Sequence, residues 1–415
     1  MCRNIVGYCD LNIHNVNTFE AMRDNTIESF FALVRAGLFP VHGEGAMVHD
    51  SLFKDVDWNE VYQMAQEQSV QGLVLAGIEQ YKNLNVLETS GTSERARANL
   101  DVNQKLLLQW IGEVQMIEQR NKEMNVFVAD LIEKLRKEDI YAILVKGQGV
   151  AQCYEKPLWR CSGDVDLFLS ESNYERAKLL LQPMASHVDD EGISAKHLGM
   201  TIDGFVVELH GTLHGGLSSK VDKELDDVLN DTFHGGNVRS WNNNGVQIFL
   251  LGLENDVFYV FTHILQHFYK EGVGLRQICD WCRLMWTYKD SLNYELLEQR
   301  IKRAGLMSEW KAFYALVTKY LGMPDVPCFM FQDSGDPQWE RKADRIMEFI
   351  LKSGNMGHNR DMSHFSKYPY LIRKCVSMGR RIGDLVNHAR IFPLDSLRFF
   401  PRIMFNGVRS AIRGE

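Results

Sequence analysis

The stretch RCSGDVDLFL, Arg160 to Leu169, sets two carboxylates one residue apart in an otherwise apolar run. On a β-strand side chains alternate, so Val165, Leu167 and Leu169 take one face while Asp164, Asp166 and Phe168 take the other. The Cα atoms of the two acids then stand ~6.6 Å apart, close enough for repulsion to raise one pKa unless a cation lies between them. Hard divalent ions, Mg²⁺ or Mn²⁺, take oxygen ligands of this kind, with substrate phosphates completing the shell. The competing reading is an edge strand with a solvated acidic face. A third acid follows in AKHLGMTIDGFVVELHG. Asp203-Gly204 between two alternating runs marks a hairpin with a tight turn. On its second strand Phe205, Val207 and Leu209 face one way, and Val206, Glu208 and His210 the other.

These residues need strands to hold them, and the surrounding pattern supplies candidates. IYAILVKG is a short apolar run ended by glycine, as for a buried strand turning into the next element. ESNYERAKLLLQPM reads as a helix with Ser172 as N-cap and Glu175 three residues on. Before residue 140, TIESFFALVRAGLF, WNEVYQMAQEQSVQGLVLAGIEQY and the segment from Arg95 to Lys137 carry apolar residues at helical spacing without proline. Beyond about residue 250 the text is helical again, broken at MPDVPCFMFQDSGDP. The expected architecture is α+β: a tail over 1–24, a helical region over 25–124, a mixed-sheet α/β core over 125–250, a helical region closing the cleft over 251–360, and a basic helical segment over 361–415.

Strand, glycine turn, helix, strand with DxD, and a hairpin strand with a third acid make a chemically coherent set. Three carboxylates on adjacent strands can hold two metal ions that clamp a triphosphate, one activating an attacking hydroxyl and the other stabilising the leaving pyrophosphate. The glycine turn after IYAILV would offer backbone N–H groups to the phosphates.

In these features the sequence resembles the DNA polymerase beta-like nucleotidyltransferase superfamily. More narrowly, it resembles an uncharacterised bacterial nucleotidyltransferase family, through Lys146-Gly147, Tyr154, Pro157, Arg160, the DVD of Asp164 and Asp166, and VELH at 207–210. A helical extension with spaced histidines and a later Arg and Asp is matched by His263, His267, Arg276 and Asp280. The resemblance spans about residues 25 to 360. It implies a metal-dependent enzyme of EC 2.7.7 type that moves a nucleotidyl group from an NTP to a small molecule, protein or RNA. Asp164, Asp166 and Glu208 are then the catalytic metal ligands, Lys146, Gly147 and Arg160 the nucleotide contacts, and His210, His263, His267, Arg276 and Asp280 the cleft lining. The alternative on the same fold is a non-catalytic nucleotide sensor. KGQG replaces the usual Gly-Ser pair, which leaves phosphate charge to Lys146 or Arg160. Convergence of all three acids favours turnover, and a Glu208 turned away favours sensing.

The histidines at HILQH share a helical face, but the glutamate a zinc protease needs after the first histidine is missing. Arg276 and Asp280, one turn apart, also read as a helix salt bridge. With 45% hydrophobic and 24% charged residues, the 415-residue chain is ordinary for a soluble multidomain protein. Eight cysteines without framework spacing, one CxxC at Cys279 and Cys282 among them, fit a reducing compartment. The N-terminus lacks a signal-peptide pattern and no apolar run reaches membrane-spanning length, so a cytoplasmic location is expected. Net charge is −8, yet residues 367–415 carry ten basic against three acidic residues. That basic tail with interleaved phenylalanines reads as an amphipathic helix packed on its own protein, with nucleic acid or an anionic surface as the other option.

Overall fold

The computed structural model describes residues 25–39, 52–87, 100–191, 196–270, 272–324, 336–355 and 370–413. The expected tail over 1–24 and most of the MPDVPCFMFQDSGDP break lie outside the described residues. Among the described residues three helices come first: α1 (Asn25–Leu38), α2 (Trp58–Glu67) and α3 (Gln71–Leu87). The apolar spacing from Trp58 to Tyr81 reads as one segment, but the chain breaks it at Ser69, whose φ is 55°. Helix α4 (Gln104–Lys137) follows, with the Asn103 side chain accepting from the N–H groups of Lys105 and Leu106.

A seven-stranded mixed sheet then forms from β1 (Ala142–Val145), β2 (Val165–Leu169), β3 (His187–Val188), β4 (His197–Ile202), β5 (Phe205–His210), β6 (Val238–Asn243) and β7 (Val246–Leu251). Its order is β3-β4-β5-β2-β1-β7-β6, with β2 parallel to β5, β1 parallel to β7 and the other neighbours antiparallel. AILV and VDLFL occupy the centre and are buried along their whole length. The short α5 (Gly147–Ala151) follows β1, α6 (Glu171–Leu181) follows β2, and α7 (Ser219–Phe233) lies between β5 and β6. The cap of α6 is Ser170, not Ser172, two residues earlier than the S-x-x-E pattern suggests. The helix starts as soon as β2 ends.

The two sheet faces are distinct, as the period-two pattern requires. Val165, Leu167, Leu169, Val207 and Leu209 pack with Val128, Ile132 and Leu135 of α4 and with Tyr174 and Leu181 of α6. Ile143, Val145 and Phe168 belong to the opposite core. That core is built on α8 (Leu253–Lys270), α9 (Leu275–Thr287), α10 (Tyr294–Ala304), α11 (Met307–Leu321) and α12 (Pro337–Ser353). Helix α8 is buried along most of its length, the polar residues Asn255, Asp256, Thr262 and His267 included, with Phe261 edge-on to Trp310 and tilted against Trp281. Helix α4 bridges both cores: Trp110 and Val114 enter one, Met124 and Val128 the other. The division expected at residues 124/125 therefore falls inside one continuous helix.

The basic C-terminal segment forms α13 (Tyr370–Ile391) and α14 (Pro393–Arg413). Phe392 and Phe399 are buried against the α8 to α12 core, Arg398 donates to the carbonyls of Gly305 and Ala304, and Arg402 pairs with Asp222. Among the described residues, no helix is long and apolar enough to cross a membrane.

Candidate active site

Asp166 and Glu208 are Cα partners in the parallel pair β2–β5, and Asp164 lies just before β2. Glu208 is not turned away: one oxygen from each of the three acids lies within 4.8 Å of the others. Asp166 is buried, whereas Asp164 and Glu208 are half-buried. The Asp166 carboxylate, reinforced by burial, raises the pKa of Asp164, while Lys146 and Arg276 oppose that rise. Three converging carboxylates with this repulsion are the donor set a hard dication neutralises.

Lys146 supplies the opposite charge. Its Nζ lies 2.8 Å from Asp166 Oδ1 and 3.1 Å from His263 Nε2. Burial alone would lower its pKa, but Asp166, Tyr259, Asp164 and Glu208 outweigh that and raise it, so the ammonium stays charged. The backbone is strained to aim it there. Lys146 has φ 57° and ψ −143°, a region that disfavours a side chain, and Gly147 follows at φ 41°. The helix after this turn is only five residues long, so the expected helix-terminus contribution to a phosphate is small.

The histidines fall into two groups. His263 is half-buried beside Lys146 and His267, and desolvation followed by those two neighbours pushes its pKa well below the usual value. A neutral imidazole can accept from the Lys146 ammonium. His267 Nε2 lies 3.2 Å away, one turn along α8, and Tyr259 one turn back approaches the same ammonium. His210, on the face of Glu208, places Nε2 2.8 Å from Asp166 Oδ1 and 3.5 Å from Glu208 Oε2.

Arg160 and Asp280 meet each other instead of the acids. Arg160 Nε and Nη2 donate to the two Asp280 oxygens at 2.7 Å each, and Nη1 donates to Ser162 Oγ at 3.1 Å and to the Cys161 carbonyl. Tyr154 completes the cluster with a 2.8 Å bond to Asp280. The guanidinium expected on a phosphate thus has its donors occupied holding the 154–162 loop. Arg276 does not bridge to Asp280 either. It donates to the Cys161 carbonyl at 2.7 Å, on the segment leading into Asp164. Asn121 of α4 donates to the carbonyls of Leu158 and Arg160, fixing the same loop. A cavity of about 180 Å³ adjoins this loop, lined by Tyr154, Trp159, Arg160 and Arg276 among others, and none of the three acids lines it. Cys279 and Cys282 are buried free thiols in α9.

Two residues near the acids escaped the sequence reading. His197 was recoverable, because a two-residue Asp203-Gly204 turn pairing Ile202 with Phe205 sets His197 opposite His210. Tyr259 shares a four-residue stripe with His263 and His267, but nothing in sequence ties that stripe to Lys146.

A strained lysine turn, two acids at a strand start and a third on the parallel neighbour thus share one sheet face. The chain belongs to the uncharacterised nucleotidyltransferase family, whose model matches residues 54–322. Among solved structures it is similar to an antigenic nucleotidyltransferase-like protein from Paracoccidioides brasiliensis, at 15% identity and a TM-score of 0.30 over 48% of this chain and 93% of that one. No curated protein matches the chain in sequence.

Proposed function

We propose that this protein is a metal-dependent nucleotidyltransferase of the polymerase beta-like type, moving a nucleotidyl group from an NTP to a hydroxyl acceptor with release of pyrophosphate. The observation that carries the reading is the convergence of Asp164, Asp166 and Glu208 within 4.8 Å beside a half-buried, charged lysine. Family membership supports the general activity.

In this reading Asp164, Asp166 and Glu208 hold Mg²⁺ or Mn²⁺, which when bound neutralises phosphate charge and lowers the pKa of the acceptor hydroxyl. Asp166 is fixed between Lys146 and His210, so it enters the reaction already oriented. Lys146, aimed by its turn, contacts the nucleotide phosphates as a point charge. Neutral His263 accepts from Lys146, whose ammonium also faces Asp166 and Tyr259. Arg160, Asp280 and Tyr154 act as positioning residues that hold the loop leading into Asp164. The sensor alternative loses ground because Glu208 joins the other two acids.

The test is incubation of the purified protein with each labelled NTP, Mg²⁺ or Mn²⁺, and a lysate separated into RNA, protein and metabolites. Label transfer with pyrophosphate release that disappears in Asp166→Asn supports the reading. Tight nucleotide binding with no transfer to any fraction would leave the sensor.

A further inference from the structure

On the same sheet face, one strand further toward the edge, His197 and His210 are Cα partners across β4 and β5, with ring centroids 4.8 Å apart. Both direct Nε2 at one oxygen of Glu208: His197 at 3.1 Å and His210 at 3.5 Å from Oε2. One donor atom from each of the three residues lies within 4.8 Å of the others. Two zinc–ligand bonds of ~2.0–2.1 Å at a tetrahedral angle separate their donor atoms by ~3.4 Å, so the two edges at Glu208 already have the length a bound zinc ion would set.

We infer that His197, Glu208 and His210 form a second metal site, selective for a transition-metal dication such as Zn²⁺ and joined through Glu208 to the all-oxygen site of Asp164 and Asp166. The donor types separate the two. Imidazole nitrogens suit zinc and its neighbours, whereas carboxylates with phosphates and water suit magnesium. A carboxylate has two oxygens, so Glu208 can serve both sites. A hydrogen-bonded cluster explains the geometry less fully: His210 Nε2 carries at most one proton yet faces both Asp166 Oδ1 and Glu208 Oε2. The His197 side chain is 42% exposed, which leaves an entry path for an ion and its remaining water ligands. The inference concerns metal bound without nucleotide, so it stands or falls separately from nucleotidyl transfer.

The experiment uses the full chain, stripped with chelator and dialysed against micromolar Zn²⁺ in millimolar Mg²⁺ without nucleotide. Zinc is counted by elemental analysis, and Co²⁺ replaces it for ligand-field spectra. Wild type should retain one Zn²⁺, and His197→Ala and His197→Gln should each weaken retention at least tenfold with circular dichroism unchanged. Asp164→Asn should keep the zinc. Cobalt spectra should show nitrogen and oxygen ligation. Absence of zinc from wild type, full retention in both His197 variants, or thiolate bands pointing to Cys279 and Cys282 would each overturn the inference. Failure of transfer assays alone would leave the zinc count unaffected, and loss of the zinc site would leave Mg²⁺-dependent transfer to be judged on Asp164, Asp166 and Glu208.

Discussion

Lys146 Nζ lies 2.8 Å from Asp166 Oδ1, and the aspartate is almost completely buried at 2% exposure. A buried carboxylate of this kind needs a counter-charge, and removing it leaves an uncompensated ion. Lys146→Ala should therefore lower the melting temperature of the metal-free protein. Mg²⁺ should then restore more thermal stability to the variant than it adds to wild type, because a dication takes over part of the ammonium's role. Thermal melts with and without Mg²⁺ check this. An equal Mg²⁺ increment in both proteins would mean that the cation does not bind beside Asp166.

Lys146→Ala should also weaken NTP binding by about tenfold or more, as expected when a charged donor to phosphate is lost. Lys146→Arg should recover little, since the strained turn aims a compact ammonium and a planar fork does not occupy the same position. Calorimetric isotherms for the two variants decide the matter. Unchanged affinity in Lys146→Ala would remove the lysine from the phosphate site.

Arg160 and Asp280 form a two-pronged pair buried between the 154–162 loop and α9. Breaking it from either side strands a buried charge and should cost about 3–5 kcal/mol. The double variant Arg160→Ala/Asp280→Ala should lose much less than the two single losses combined. A double-mutant cycle by denaturant unfolding measures the coupling. Strict additivity would mean that the pair contributes nothing to holding the loop.

The strands and their faces were legible in the text because period two is a local property. VDLFL, FVVELH and the Asp203-Gly204 turn each specify their own geometry, and together they put Asp166 and Glu208 on one side. Arg160 was not legible in the same way. Its partner Asp280 is 120 residues distant, and no local pattern distinguishes a guanidinium committed to a carboxylate from one awaiting a phosphate. The break at Ser69 and the cap at Ser170 show the same limit at smaller scale: helical spacing continues across Ser69, the S-x-x-E pattern points to Ser172, and the folded chain starts each helix elsewhere. Lys146 lies between these cases, since Lys-Gly marked the turn but only the packed α8 reveals His263 and Tyr259 beside it.

A buried carboxyl far from the acids predicts an alkaline instability. Glu309 is fully buried in α11, and burial, followed by the charge of Asp395, pushes its pKa up to about 8. The Tyr269 hydroxyl donates to Oε1 at 3.1 Å. Because the folded-state pKa lies above the unfolded one, the folded chain holds a proton that the unfolded chain has lost. This contribution to stability is complete below about pH 4.5 and is lost as pH rises to about 8. Glu309→Gln keeps the shape and removes the titration, so the variant should lose less stability than wild type between pH 5 and 8 and melt a few degrees higher at about pH 8. Parallel pH series of denaturant unfolding provide the check. If both proteins fall equally over that range, Glu309 is ionised in the folded state and the assignment of its burial as the cause fails.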